Sequence, residues 1–137
     1  MNITECINFL LTTSQHKVFN IVKERLSEFD VTPVQYGVLQ CIWQFDIDSP
    51  NEVANFLDIE NSTISGILER MEKKDLIIRE IDVNDRRFIK IKLTDKSKAL
   101  EEPINIAAEE VNEKILSMFT KEEERDLKKY LRRICTL

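Results

Sequence analysis

Residues 61–94 read NSTISGILERMEKKDLIIREIDVNDRRFIKIKLT, and this stretch decides the fold. From Asn61 to Lys74 the apolar residues Ile64, Ile67, Leu68 and Met71 fall on one face of a helix, leaving a polar outer face. Two strand-like runs follow, Ile77–Ile81 and Phe88–Leu93. In the second, Ile89, Ile91 and Leu93 alternate with Lys90 and Lys92, the period of a half-buried strand. Between the runs sits a polar tip, Asp82-Val83-Asn84-Asp85-Arg86-Arg87. A helix joined to a basic-tipped hairpin is suited to holding one element in the DNA major groove and another in the minor groove.

Working outward, three sequence signatures mark helix starts. Thr32 to Gln35, Ser49 to Glu52 and Thr120 to Glu123 each place a hydroxyl at the cap and Glu or Gln three residues later, the pattern of a capping box. Pro33 and Pro50 sit at the first helical position, where a missing N–H costs nothing. Helices are therefore expected over Pro33–Phe45, Pro50–Leu57 and Lys121–Ile134. A first helix is expected from about Thr4 to Glu28, with a stripe of Ile3, Cys6, Ile7, Leu10, Val18, Ile21, Val22 and Leu26. A long helix is expected from about Asp95 to Phe119, kinked or briefly broken at Pro103.

The short turn Asp58-Ile59-Glu60 joins the third and fourth helices as in a helix-turn-helix. The expected fold is mainly α: a winged helix-turn-helix with a two-stranded wing and N- and C-terminal dimerisation helices. One domain spans 1–137, with a DNA-binding lobe at 32–94 and dimerisation helices at 1–31 and 95–137. The terminal stripes exceed what residues 32–94 can bury, so a second copy is the expected partner.

Charge points to the same stretch. The 137-residue chain carries a net charge of −5, which by itself argues against a polyanionic partner. Residues 1–60 hold 3 basic and 9 acidic side chains, residues 61–94 hold 8 and 6, and residues 95–137 hold 9 and 10. Only the helix–hairpin stretch is net positive, and the local field decides where a polyanion docks. The bias is small, so moderate affinity with marked salt dependence is expected.

On the fourth helix, Ser62, Thr63, Ser65, Gly66, Glu69 and Arg70 face outward if the apolar face is inward. Small hydroxyl residues near a helix N-terminus allow close approach to base edges and phosphates. Gly66 inside a helix costs about 1 kcal/mol relative to alanine, and close approach of DNA is one reason to keep it. The alternative is a solvated face of small residues. At the hairpin tip an arginine can enter a narrow minor groove, and Asp85, two residues before Arg87, can hold its rotamer.

These residues carry a resemblance. Val31 to Leu39, Ser62 to Ser65, Leu68 to Ile77, and above all Asp85-Arg86-Arg87 followed by Ile91-Lys92-Leu93-Thr94, resemble the MarR/SlyA-type bacterial transcriptional regulators over nearly the full length. The resemblance implies a homodimer built from terminal helices, binding a pseudo-palindromic operator in double-stranded DNA. It implies that Arg87 enters the minor groove, that Asp85 orients it, and that Ser62, Thr63 and Ser65 read the major groove. Three positions depart from the family's pattern: Asp75 and Ser97 stand where many members have glycine, and Gly66 stands where Arg or Pro is common.

Oxidant-sensing members carry a cysteine early in the first helix, about one residue after Cys6. Cys6 is the redox candidate; its place on the apolar stripe equally suits a small core residue. Cys41 reads as core, Cys135 lies near the C-terminus, and His16 is the only histidine. Other members respond to small aromatic or phenolic ligands, and Phe9, Phe19, Trp43 and Phe45 are candidates for a pocket or for core.

Three widely spaced cysteines form neither a disulfide framework nor a zinc motif, which suits a reducing cytoplasm. The sequence shows no membrane-spanning run, secretory signal, phosphate-binding loop or nucleophile elbow, so neither an enzyme nor a cofactor or metal is expected. The expected function is a DNA-binding regulator, a repressor released by a small ligand or oxidant. The competing expectation is a winged-helix protein-interaction module without specific DNA binding.

Overall fold

Four aspartates punctuate the helical chain. Asp30, Asp46, Asp58 and Asp75 have φ of 55°, 52°, 56° and 59°, while neither of the two glycines has positive φ. Asp reaches this left-handed region more readily than most residues because its short side chain bonds locally. Each of these aspartates closes a helical segment in the computed structural model, which describes residues 1–85 and 87–137. Asp75 thus makes the turn that ends the fourth helix without a glycine.

The elements are α1 (Ile7–Leu26), α2 (Pro33–Phe45), α3 (Pro50–Leu57), α4 (Asn61–Lys73), β1 (Ile77–Ile81), β2 (Ile89–Leu93), α5 (Asp95–Leu116) and α6 (Lys121–Ile134). Short 3-10 turns at Ile3–Glu5 and Ser27–Phe29 flank α1. β1 and β2 pair antiparallel, with Ile77 opposite Leu93 and Ile81 opposite Ile89. A mainly helical chain with a two-stranded wing after α4 is the winged helix-turn-helix expected from the sequence. Among the described residues no helix is long and apolar enough to cross a membrane.

Two of the three capping boxes are complete. The Thr32 and Thr120 hydroxyls accept from the N–H groups of Gln35 and Glu123, whose side chains accept from the cap N–H in return. At Ser49 only half forms: its hydroxyl accepts from the Glu52 N–H, without the return bond.

The expected first helix is interrupted. Asn2 accepts from the Thr4 N–H at 3.0 Å and starts a 3-10 turn, after which Cys6 is extended (φ −69°, ψ 126°). A local side-chain bond of this kind competes with continuation of a helix. α5 is helical straight through Pro103 but stops at Leu116, short of Phe119, because Thr120 must be extended to cap α6. Pro103 and Ala99 are both exposed, so water can replace the bond that proline cannot make. The second strand begins at Ile89, one residue later than expected.

The chain divides into two compact units, residues 26–105 and residues 1–25 with 106–137. The first has a full core: Val38, Leu39, Cys41, Val53, Leu68, Met71, Leu76, Ile91 and Ile104 are at most 1% exposed. The inner face of α4 is as expected, with Ile64, Ile67, Leu68 and Met71 all buried. In the second unit the buried apolar side chains among the described residues are Ala107 and Val111 alone. Ile3, Ile7, Leu10, Ile21, Leu131 and Ile134 remain exposed in the single chain, and α6 buries no residue.

Candidate nucleic-acid interface

Helix α4 begins without a side-chain cap: Glu60 supplies only its carbonyl, which accepts from the N–H groups of Thr63 and Ile64. Its first turn therefore presents N–H groups and the positive end of the helix dipole, a setting that favours an anion. Ser62, Thr63 and Ser65 are exposed at this end, Gly66 is half-buried, and Arg70 is exposed one turn further on. The four buried apolar residues of the opposite face fix which side is presented.

Gly66 and Arg70 meet. A Cβ placed on Gly66 would lie 3.3 Å from Nη1 of Arg70, 3.8 Å from Nη2 and 3.9 Å from Cζ. The guanidinium therefore lies back along the helix, over the glycine and toward the N-terminal end, the direction in which helical side chains lean. Sequence reasoning assigned Gly66 to close approach of DNA and missed this contact. The i,i+4 spacing of the two residues was the signal that marks them as neighbours on one helix face.

Cations near α4 are otherwise committed to acids. Lys73 pairs with Glu69 (3.6 Å), Lys74 with Asp30 (3.5 Å), Lys90 with Asp48 (3.4 Å), Lys92 with Glu80 (2.9 Å), and Arg79 with Glu72. Arg70 makes no ion pair among the described residues. It is also the first cation after Arg25: residues 26–69 contain no Lys or Arg and eight acidic side chains.

The wing tip is organised by Asp85. Its Oδ1 accepts from the backbone N–H and the Nε–H of Arg87, each at 3.0 Å, and its Oδ2 accepts from Nη2 at 2.8 Å. Two parallel side-chain bonds of this kind fix the plane of a guanidinium as well as its position. The Arg87 guanidinium holds the Asp85 carboxyl below its ordinary range, and the carboxylate in turn raises the pKa of Arg87. The Arg87 side chain is still 85% exposed. The Asp82 N–H donates to the Phe88 carbonyl, the Phe88 N–H donates to the Asp85 carbonyl, and Asp82 Oδ1 accepts from the Asn84 N–H, so the tip is a bonded turn. Arg86, expected to share this tip, lies outside the described residues.

The base of the wing is tied down by bonds that sequence reasoning did not foresee. Thr94 and Ser97 cap α5 reciprocally: the Thr94 N–H donates to Ser97 Oγ, and the Ser97 N–H donates to Thr94 Oγ1. The Thr94 hydroxyl also donates to the Asp75 carbonyl at 2.7 Å. This is a capping box with Ser in place of Glu or Gln, and Ser97 is fully buried within it. Lys96 donates to the Lys74 carbonyl, and the Ile91 N–H donates to the Asp48 carbonyl, bonding β2 to the α2–α3 loop.

All three cysteines are free. Cys6 is half-buried just before α1, Cys41 is buried and Cys135 exposed. Burial pushes the Cys41 thiol above its ordinary pKa, so it stays protonated and inert. Phe19 and Phe45 are exposed rather than core, and Phe45 instead pairs with exposed Phe56, ring centroids 5.1 Å apart.

The sequence profile of the MarR family matches residues 31–89. The chain is 31% identical to the HTH-type transcriptional regulator MgrA of Staphylococcus aureus over 111 residues, 80% of this chain and 76% of that one. Its fold is similar to MepR of S. aureus, solved in complex with DNA, with a TM-score of 0.86 and 26% identity over 96% of this chain and 97% of that one. It is similar also to BpsR of Bordetella bronchiseptica, whose DNA binding is regulated by 6-hydroxynicotinic acid, with a TM-score of 0.91 and 22% identity over 100% and 98% of the two chains. Fold, helix order, wing and sequence agree: the chain belongs to the MarR family of winged-helix transcriptional regulators, and it is not an enzyme.

Proposed function

We propose that this protein is a homodimeric, sequence-specific DNA-binding repressor. Residues 32–94 form its DNA-binding lobe, and residues 1–31 and 95–137 its dimerisation helices. The observation that carries the reading is the wing tip, where an exposed arginine is held in one plane by the two bonds it donates to Asp85. Fixing the rotamer in advance lowers the entropy lost on binding, and a projecting guanidinium suits the strong negative potential of a narrow minor groove. Arg87 enters that groove and Arg86 is a further DNA-binding residue, while Ser62, Thr63, Ser65, Gly66 and Arg70 face the major groove. The DNA complex of MepR supports DNA binding by likeness.

Dimerisation is supported by the terminal unit, which leaves Ile3, Ile7, Leu10, Ile21, Leu131 and Ile134 exposed in one chain. A second copy related by a two-fold axis would cover this surface and place two lobes on half-sites about one helical turn apart. Release follows when a small ligand or an oxidant favours a dimer geometry that no longer matches that spacing. The regulation of BpsR by a small aromatic acid supports the ligand route by likeness; Cys6 is the candidate for the oxidant route. The role places the protein in the cytoplasm.

One observation favours a second reading. The lack of any cation between residues 26 and 69, against eight acidic side chains, suits a protein-binding face better than a DNA-binding one. A gel shift with the DNA upstream of the protein's own gene, across a salt series, separates the two. Sequence-preferring binding that weakens steeply with salt is expected for the repressor. Absence of preference with a flat salt response would favour the interaction module. Repeating the shift with peroxide and with phenolic acids identifies the route of release, and equal release of wild type and Cys6→Ser by peroxide would remove Cys6 from the account.

A further inference from the structure

We infer that Gly66 and Arg70 form one device: the glycine is the seat that lets Arg70 lie along α4 and read a guanine in the major groove. This deepens the DNA-binding reading above and rests on it.

Three observations converge. The Arg70 guanidinium already lies over Gly66, one turn back toward the end of α4 that enters a major groove in helix-turn-helix docking. The strip ahead of it, Ser62 and Gly66, carries nothing bulky, and Thr63 beside it is also small. Arg70 is free of acids among the described residues, whereas Lys73 in the same helix is paired with Glu69. An exposed arginine without a carboxylate partner keeps all five donors available. Its planar fork matches O6 and N7 of guanine, the commonest specific contact in the major groove.

The glycine argues for the same function from stability. Alanine is the better helix former at an interior position. A Cβ at 66 would meet only the far end of a flexible side chain, so alanine fits the fold without displacing backbone. What alanine would change is the path of the guanidinium, which must lift a few tenths of an ångström off the helix to clear the added Cβ. Gly66 is therefore a positioning residue acting through Arg70, and it is kept at a cost in helix stability.

The test is selection from a library of random-sequence DNA duplexes, run in parallel with wild type, Arg70→Ala, Arg70→Lys, Gly66→Ala, Gly66→Ala/Arg70→Ala and Arg87→Ala. Wild type is expected to enrich a two-fold symmetric site with guanine at one position in each half. Arg70→Ala is expected to lose that guanine preference by tenfold or more while keeping the rest of the site, and Arg70→Lys to keep only part of it. Gly66→Ala is expected to lose part of the same preference while its thermal midpoint holds or rises. On the Arg70→Ala background the added Gly66→Ala should change nothing further. Arg87→Ala should weaken binding without changing the guanine position.

Uniform weakening by Arg70→Ala across all sequences, with the salt slope reduced by about one, would mean a phosphate contact and overturn the proposal. An equal effect of Gly66→Ala with and without Arg70 would overturn the seat. Wild-type enrichment of a site that Arg70→Ala preserves would overturn this inference and leave DNA binding intact. Wild type that enriches no sequence would overturn the DNA-binding reading and this inference with it.

Discussion

The wing and the recognition helix each present an arginine, and the two are held in opposite ways. Arg87 is clamped by Asp85 through two side-chain bonds and one backbone bond before any partner arrives. Arg70 has no acid among the described residues and rests against a glycine. A clamped guanidinium has spent part of its donor capacity and its rotamer freedom, which suits a site recognised by shape and potential. An uncommitted fork retains the donors that base reading needs. On the proposed reading, one helix–hairpin unit carries a pre-set probe for the minor groove and an open one for the major groove. The acidic run of residues 26–69 sharpens the contrast, since it leaves few cations to hold DNA by charge alone.

The largest effect is expected from Ile7→Glu/Leu131→Glu in the terminal unit. It should convert the dimer to monomers by analytical ultracentrifugation and lower operator affinity about 100-fold or more, because both arginines lose their second half-site. A dimer that persists would remove the terminal helices from the interface. Next, Arg87→Ala should lower operator affinity roughly 30-fold, about 2 kcal/mol, with dimer mass and helix content unchanged by sedimentation and circular dichroism. Asp85→Asn should cost less, on the order of threefold to tenfold, because Arg87 remains but must be ordered on binding. An Asp85→Asn protein weaker than Arg87→Ala would show that the clamp contributes more than the arginine it holds.

The smallest effect concerns pH. The Asp85 carboxyl is depressed in the folded protein by its bonds from Arg87. Its contribution to the tip is thus fully present above the ordinary carboxylate pKa and is lost as pH falls through the depressed value. The Arg87 Nε–H resonance should stay protected from exchange through neutral and mildly acidic pH and lose protection only in stronger acid. A protection factor, taken against the base-catalysed exchange of a free guanidinium, that falls as pH rises would have the wrong sign for this clamp.

Local chemistry explains which parts were legible in the sequence. The starts of α2 and α6 were legible because one hydroxyl and one long polar side chain three residues apart satisfy each other without tertiary help. The Thr94–Ser97 cap obeys the same logic but hides behind a shorter side chain that reaches its partner only because Ser97 is buried. The break at Cys6 was hidden because periodicity reports faces, not the local bond from Thr4 to Asn2 that diverts the chain. The exposed terminal stripes were foreseen as a surplus, since the amount of apolar surface is a property of sequence. Asp85 and Arg87 were legible as a pair from spacing and charge. Gly66 was read as a point of close approach by DNA, and its contact with Arg70 was missed because it depends on the path of another side chain.

The account rests on two grooves being read by two arginines, and dimethyl sulfate footprinting on the selected duplex tests that most directly. The reagent methylates guanine N7 in the major groove and adenine N3 in the minor groove, so one experiment reports both. Wild type should protect a guanine in each half-site together with flanking adenines. Arg70→Ala should lose only the guanine protection and Arg87→Ala only the adenine protection. Loss of both signals in either variant, or adenine protection that survives Arg87→Ala, would contradict the division of labour between helix and wing.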